Sequence, residues 1–242
     1  MKRILMMALL ALSLFTVHAQ TKPGTFSIIP KVGFSLSNMT GQDVLIGSGS
    51  EPSHSIKTTY RSGLVIGADV QYMMTEKFGL SLGVLYSREG FRMPNFQDES
   101  EHDGIKNVFM LEDGQLNLDY LSAPILAHYY ITDHLCLNAG FQIGFLLSAR
   151  MHQVTTSYDE TDGTRKYEQY EGKDLNHLES NNSWSAQFEG HALSIPVGLS
   201  YEYQNIVLDA KYNFPVSYVN KAGYDKNILK TFLFTVGYKF DL

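Results

Sequence analysis

Apolar and polar residues alternate one by one along several segments of this chain, and no other feature constrains its fold as strongly. In the segment 135–148, the odd-numbered positions are apolar throughout, whereas the even-numbered positions are mostly small or polar. A period of two residues places all the apolar side chains on one face of an extended strand. The segment therefore predicts a strand with one apolar face and one polar face.

The alternation recurs in eight segments, at about 26–37, 61–72, 79–87, 118–130, 135–148, 192–203, 206–214 and 232–240. Each has roughly the 9 to 11 residues that a tilted strand needs to cross a bilayer. The eighth segment reaches almost to residue 242. We expect it to pair with the first segment, because closing the sheet satisfies every backbone N–H and C=O within lipid.

The connections between these segments alternate between short and long. Polar turns at 75–77, 132–134 and 204–205 are short, whereas the polar connections at about 38–58, 88–116, 150–186 and 215–227 are long. Transmembrane barrels show this alternation, with turns on the periplasmic side and loops outside. The fold class predicted is all-β: an eight-stranded antiparallel up-and-down transmembrane β-barrel with four long outer loops and three short periplasmic turns.

The N-terminal segment has the pattern of a cleavable export signal. Lys2 and Arg3 precede an apolar stretch over 4–17, and Val17-His18-Ala19 gives a small-residue cleavage site before Gln20. Because residue 20 is not cysteine, a lipid anchor is not expected. We divide the chain into a signal peptide at 1–19 and a barrel domain at 20–242, and expect an integral protein of a Gram-negative cell outer membrane.

Composition excludes several other classes. The chain has a formal net charge of −6, and removal of Lys2 and Arg3 makes it more negative, which argues against nucleic-acid binding. One cysteine, Cys136, cannot form an internal disulfide, and we expect it to pack in the interior near the periplasmic end. The 15 Tyr and 14 Phe residues fit the aromatic belts of membrane barrels.

Two stretches resemble a known family. The segment from Leu118 to Ala149, which contains Ser122-Ala123-Pro124-Ile125, is similar to the central motif of the PorT-like outer-membrane β-barrel family, as is the ending Gly237-Tyr238-Lys239-Phe240. Family members usually carry a glutamate before the Ile-Pro of this motif, and this chain does not. The resemblance implies an outer-membrane barrel, and some members of the family take part in protein secretion across the outer membrane.

The polar faces of the strands define what the barrel would enclose. If the apolar faces contact lipid, the lumen receives a set of charged residues and one histidine: Lys31, Arg61, Asp69, Glu89, His128, Glu202, Asp209, Lys211 and Lys239. An eight-stranded barrel has room only for side chains, and buried charges require partners. We therefore predict an interior plugged by salt bridges, with a narrow ion path as the alternative.

No catalytic, cofactor or metal site is predicted. The acidic connections could bind Ca²⁺ or Mg²⁺ through carboxylates, but the sequence at 159–163 lacks the spacing of an EF-hand loop. Ser100, His102 and Glu99 lie close together in sequence, and a Ser-His-acid group at the outer rim would mark a lipid-modifying enzyme. A solvated acidic surface explains these residues better than a metal site or an enzyme active site does.

The function expected is therefore that of a non-enzymatic interaction or secretion-accessory barrel. A small porin-like channel is the first alternative, and a lipid-modifying outer-membrane enzyme is the second. The partners expected are outer-membrane lipid and lipopolysaccharide, the barrel-assembly machinery through the C-terminal strand, and, from the family resemblance, proteins of a secretion machinery. No nucleic acid is expected among them.

Overall fold

A computed structural model describes residues 22–41, 44–46, 54–221 and 226–242. The predicted signal peptide and its cleavage site lie outside the described residues. The architecture is built from eight long strands: β1 (Phe26–Thr40), β2 (Arg61–Met73), β3 (Phe78–Arg92), β4 (Ile105–Tyr130), β5 (Leu135–Thr161), β6 (His191–Tyr203), β7 (Ile206–Pro215) and β8 (Ile228–Tyr238). Within the described ranges, no helix is long and apolar enough to cross a membrane.

The eight strands form a ring in which each strand pairs antiparallel with the next and β8 pairs with β1. Phe34 of β1 lies opposite Phe234 of β8, and the two rings stack with centroids 5.2 Å apart. A final short strand, Phe240–Asp241, continues the pairing along β1. The hydroxyl of Ser27 donates to the carboxylate of Asp241 at 2.6 Å. The predicted fold class, including pairing of the last segment with the first, is confirmed.

The three short turns occur where the sequence predicted them, between β2 and β3, between β4 and β5, and between β6 and β7. Two of them use the same device. The Thr75 hydroxyl accepts a hydrogen bond from the backbone N–H of Phe78 at 3.0 Å, and the Thr132 hydroxyl accepts one from Leu135 at 3.0 Å. Such side-chain to backbone bonds stabilise tight turns without glycine.

The apolar series of the strands points outward, as expected for lipid contact. Exposed apolar side chains cover every strand of the ring; they include Phe34, Ile66, Leu82, Ile125, Phe141, Leu199, Leu208 and Val236. Phe141 is 73% exposed, a fraction that would be unfavourable in water but suits a lipid-facing position. Aromatic pairs such as Phe26–Tyr72, with centroids 4.6 Å apart, lie on the same outer wall.

The second and third long connections contain further strand pairing, which the sequence did not indicate. β4 has 26 residues and β5 has 27, so both strands continue well beyond a bilayer-spanning length. The strand Phe96–His102 pairs with β4, and the strands Thr164–Tyr167 and Leu178–Ser183 pair with β5. The many acidic residues obscure the alternation of apolar and polar residues in these connections. A register shift between Glu112 and Gln115 also interrupts the two-residue period.

An apolar core stabilises this outer extension, which we define as residues 91–118 and 149–190. Its buried members from the extension are Phe91, Met93, Leu111, Leu116, Leu118, Ala149, Met151 and Phe188, and they pack with Ile56, Tyr120, Val219 and Leu229. The core closes the outer end of the barrel, and Trp184 packs against it beside the short 3₁₀ helix Ser185–Gln187. The extension is therefore a folded body rather than a set of solvated loops.

Candidate functional site: the filled lumen and the outer rim

The centre of the lumen holds two lysines and two aspartates in one network. Nζ of Lys31 lies 2.5 Å from Oδ2 of Asp69 and 2.8 Å from Oδ2 of Asp209. Nζ of Lys211 lies 3.0 Å from the same Asp209 oxygen. Charge within the group is balanced, as burial in a low-dielectric interior requires. The network joins β1, β2 and β7 across the interior.

Neutral groups complete the hydrogen bonding of Asp209. Ser200 donates to Oδ1, and the Thr235 hydroxyl donates to Oδ2 at 3.2 Å. Asn138 in turn donates to the Ser200 hydroxyl at 2.5 Å. The charged network therefore extends through β8, β6 and β5. Ser200 and Thr235 were not among the predicted lumen residues, although both share the strand face of charged neighbours.

A second network closes the periplasmic end of the lumen. Nζ of Lys239 lies 3.0 Å from a carboxylate oxygen of Glu202, and the Tyr130 hydroxyl donates to the other oxygen at 2.6 Å. Gln71 donates to the Tyr130 hydroxyl at 2.9 Å. Below this group, a cavity of 290 Å³ is lined by residues of the periplasmic turns, including Glu76, Asp133 and Asn205. Tyr130 was not among the predicted lumen residues, although it lies two residues from His128 on the same strand face.

Two of the three remaining lumen predictions, Glu89 and His128, have neutral partners. Glu89 accepts hydrogen bonds from Ser87 at 2.7 Å and from Thr231 at 2.6 Å, and in the described part of the chain no cation pairs with it. Nε2 of His128 lies 2.8 Å from the Ser81 hydroxyl, and Nδ1 lies 3.8 Å from Sγ of Cys136. Cys136 is fully buried near the periplasmic end, packed with Met73 and Tyr130.

Arg61 joins neither of the two charged networks. Its Nε donates to Oε1 of Gln115 at 3.3 Å, and its nearest charges are Arg88, Arg92 and Asp119, all on the outward series of β3 and β4. The ladder between β2 and β3 ends at the Val65–Ser87 pair. Against β1, the pairing of β2 continues to the Ser37–Arg61 pair.

The interior is tightly packed at the level of the central network. The cavity beside Lys31, Asp69 and Asp209 has a volume of 10 Å³. A single water molecule needs roughly 10 to 15 Å³. Val65, Leu85 and Leu233 form a buried apolar cluster in the interior as well. The interior is a packed mixture of salt bridges, hydrogen bonds and apolar contacts.

The residues of the hypothetical Ser-His-acid group do not form a hydrogen-bonded relay. Glu99 lies 2.7 Å from Nζ of Lys106, whose hydrogen bond lowers the pKa of the Glu99 carboxyl. His102 lies 3.5 Å from Asp103, and both side chains are highly exposed. Ser100 is on the opposite face of its strand from Glu99. Among the residues that the structure describes, no three His, Cys, Asp or Glu side chains converge as metal ligands.

These features define the class: an outer-membrane β-barrel with a filled lumen and a folded outer extension. The family model of the outer membrane protein beta-barrel domain matches residues 18–220, and the chain belongs to this family. No curated protein matches the chain. The family supports an outer-membrane location.

Solved structures of small outer-membrane barrels are similar to this chain at low identity. Ail, the attachment invasion locus protein of Yersinia pestis, solved with the heparin analogue sucrose octasulfate, is 15% identical, with 90% of this chain and 99% of that chain covered and a TM-score of 0.39. OprG from Pseudomonas aeruginosa is 15% identical over 92% of this chain and 98% of its own, with a TM-score of 0.38. Outer membrane protein W of E. coli is 13% identical over 90% and 99%, with a TM-score of 0.33.

Proposed function

We propose that this protein is a non-enzymatic outer-membrane barrel that binds a partner through its outer extension. The observation that carries the proposal is the apolar core of the extension, centred on Phe91, Leu111 and Leu116. Loops that only cap a barrel need no core of their own. A folded extension presents a fixed surface, and recognition by barrels commonly lies in such outer segments.

The filled lumen favours interaction over transport. The Lys31, Asp69, Asp209 and Lys211 network occupies the centre, with a cavity of only 10 Å³ beside it. A porin-like channel would need a continuous aqueous path. Reconstitution in a planar bilayer is the direct test of this alternative, and stepwise conductance from the purified barrel would contradict the proposal.

A secretion-accessory role is the more specific form of the proposal. It is supported by the resemblance of Leu118–Ala149 to the PorT-like family, and the periplasmic turns would be the contact with proteins of a secretion machinery. Exposed turn residues such as Glu76 and Asp133 line the 290 Å³ cavity at the periplasmic mouth. A lipid-modifying activity has no comparable support, since Glu99 is paired with Lys106.

Photocrosslinking in intact cells tests both partner binding by the outer extension and the secretion-accessory role of the periplasmic turns. A photoreactive side chain is placed at Glu101 or Tyr170 on the extension, at Glu76 or Asp133 in the turns, and at lipid-facing Phe141 as the matched control. All five positions are exposed. We expect a discrete protein adduct from the extension positions and none from Phe141. Adducts from the turns would support the secretion-accessory role. Equal background at all positions would contradict a protein partner.

A further inference from the structure

Four arginines gather near the outer end of the barrel, three of them exposed. The chain contains six arginines in all: Arg3, Arg61, Arg88, Arg92, Arg150 and Arg165. Arg61 lies at the start of β2, Arg88 and Arg92 are near the end of β3, and Arg150 is in β5. We call Arg61, Arg88, Arg92 and Arg150 the arginine patch.

Strand register brings the patch together. Arg88 lies opposite Asp119, which lies opposite Ser148; two residues further along the strands, Asn117 lies opposite Arg150. Arg92 lies opposite Gln115, the residue that accepts the hydrogen bond from Arg61. Arg88, Arg92 and Arg150 are exposed on this wall. The patch thus spans β2 to β5 over a few residue rows.

Positive charge in the patch is largely uncompensated. Asp119 pairs with Arg88 at 2.7 Å and also accepts hydrogen bonds from Tyr86 and Ser148. Within the described ranges, no carboxylate pairs with Arg61, Arg92 or Arg150, and Nη1 of Arg61 is buried without a hydrogen-bond partner.

The acidic groups nearest the outer end of the patch are already engaged. Asp113 and Glu179 lie 3.4 Å and 3.7 Å from the His152 ring. His152 lies opposite Gln115, one row beyond Arg150. These groups bound the patch on its outer side. The patch therefore has spare donors for an anion.

The position of the patch identifies the kind of anion. One row toward the membrane, Ile66, Tyr86, Leu121 and Phe145 lie side by side in register. Ile66, Leu121 and Phe145 are exposed and apolar. The arginines therefore adjoin the lipid-facing surface near its outer edge. A molecule that contacts both surfaces has acyl chains below and a negative headgroup above.

We propose that the arginine patch binds the phosphorylated headgroup of a lipid in the outer leaflet. Guanidinium groups bind phosphate through two parallel charge-assisted hydrogen bonds, which lysine cannot match. The lipid's acyl chains would lie against Ile66, Leu121 and Phe145. The proposal rests on the outer-membrane location and is independent of partner binding by the extension.

Lipid retention by the purified full-length mature barrel tests the proposal. The barrel is reconstituted into phosphatidylcholine vesicles that contain a small fraction of lipid A, extracted in mild detergent, and repurified; bound lipid A is counted by mass spectrometry. The variant Arg88→Gln/Arg92→Gln/Arg150→Gln removes three charges from the patch. Lys166→Gln/Lys173→Gln/Lys221→Gln removes three exposed charges elsewhere and is the matched control.

We expect lipid A per barrel to fall at least about tenfold in the patch variant and to stay unchanged in the control. Equal retention in both variants overturns the proposal. Equal retention of dephosphorylated lipid A overturns it as well, and so does complete release by millimolar inorganic phosphate or by a soluble sulfated polysaccharide, since each would mark a site for free anions. Arg150→Gln alone, which removes a side chain without a described partner, gives a smaller fall in a barrel that retains its Arg88–Asp119 pair.

Discussion

Nζ of Lys31 lies 2.5 Å from Oδ2 of Asp69, with both side chains almost fully buried inside the ring of strands. The two residues lie on neighbouring strands, β1 and β2, and Lys31 also contacts Asp209 from the other side. Asp69 has no other cation within salt-bridge distance among the described residues. Lys31 is therefore the cation that compensates the Asp69 carboxylate, whereas Asp209 has Lys211 as a second cationic partner.

Lys31→Met leaves Asp69 as a buried carboxylate without a cation. We expect the free energy of unfolding to fall by about 3 to 5 kcal/mol, the usual cost of removing one member of a buried ion pair. Denaturant unfolding of the barrel in detergent measures the change. The double variant Lys31→Met/Asp69→Leu removes both charges and leaves the Lys211–Asp209 pair balanced, so most of the loss is recovered. A single variant as stable as the wild type would contradict the role of the network.

Gly83 makes room for the Asp69 carboxylate. A Cβ at position 83 would overlap Oδ1 of Asp69 and approach the ring of Pro124. Gly83→Ala therefore pushes Asp69 away from Lys31, and we expect a loss of about 1 to 3 kcal/mol from overpacking. Gly190→Ala is the control, because a Cβ there meets nothing within 4 Å. Thermal unfolding of both variants side by side gives the result, and equal melting temperatures would refute this account of Gly83.

The extension depends on its own core. Leu116 is fully buried there, and Leu116→Ala removes buried methyl groups at a cost of about 2 to 5 kcal/mol. We expect the loss to appear as local opening, with faster trypsin cleavage at Lys106, Arg165 and Lys173 while the lipid-covered strands stay protected. Glu101→Ala, on the exposed surface, serves as the comparison. Cleavage at the wild-type rate in Leu116→Ala would show that the core does not hold the extension.

The C-terminal strand completes the seam of the ring. Phe240 and Asp241 pair with Ile28 and Ser27, and the Leu242 N–H donates to the Phe26 carbonyl at 2.8 Å. Deleting residues 240–242 leaves the start of β1 paired with β2 alone, and we expect a severalfold fall in the amount of barrel in the outer membrane. Membrane fractionation and blotting measure it. Leu242→Ala keeps the backbone bond and is expected to assemble normally; equal assembly of the truncated chain would argue against this role of the strand.

Strand periodicity was enough to predict the ring. The alternation around Phe141 and Leu208 separates a lipid-facing series from an interior series, and the turns near Thr75 and Thr132 mark where the chain reverses. These are local properties, since each depends on a few neighbouring residues. The same parity placed Lys31, Asp69 and Asp209 on one interior surface before any register was known.

Features that depend on strand register and termination were not predictable. Arg61 has the parity of a lumen residue, but its side chain hydrogen-bonds to Gln115 and does not join the networks around Lys31 and Glu202. Pairing of Phe96–His102 with β4 likewise depends on contacts between distant segments. The hydrogen bonds of Thr231 to Glu89 and of Tyr130 to Glu202 join different strands across the lumen. The sequence pattern of one strand therefore cannot predict them.

The continuity of β4 and β5 from the membrane into the extension has a mechanical consequence. At about 3.3 Å per residue, the outer part of each strand is on the order of 40 Å long, and it shares one unbroken backbone with the part in the bilayer. A partner that pulls outward on the extension would load the β3–β4 and β5–β6 hydrogen bonds in shear, many at once. We expect single-molecule pulling on the extension of a barrel held in a bilayer to record one abrupt high-force rupture; gradual low-force opening would show that tension is released in the extension before it reaches the barrel.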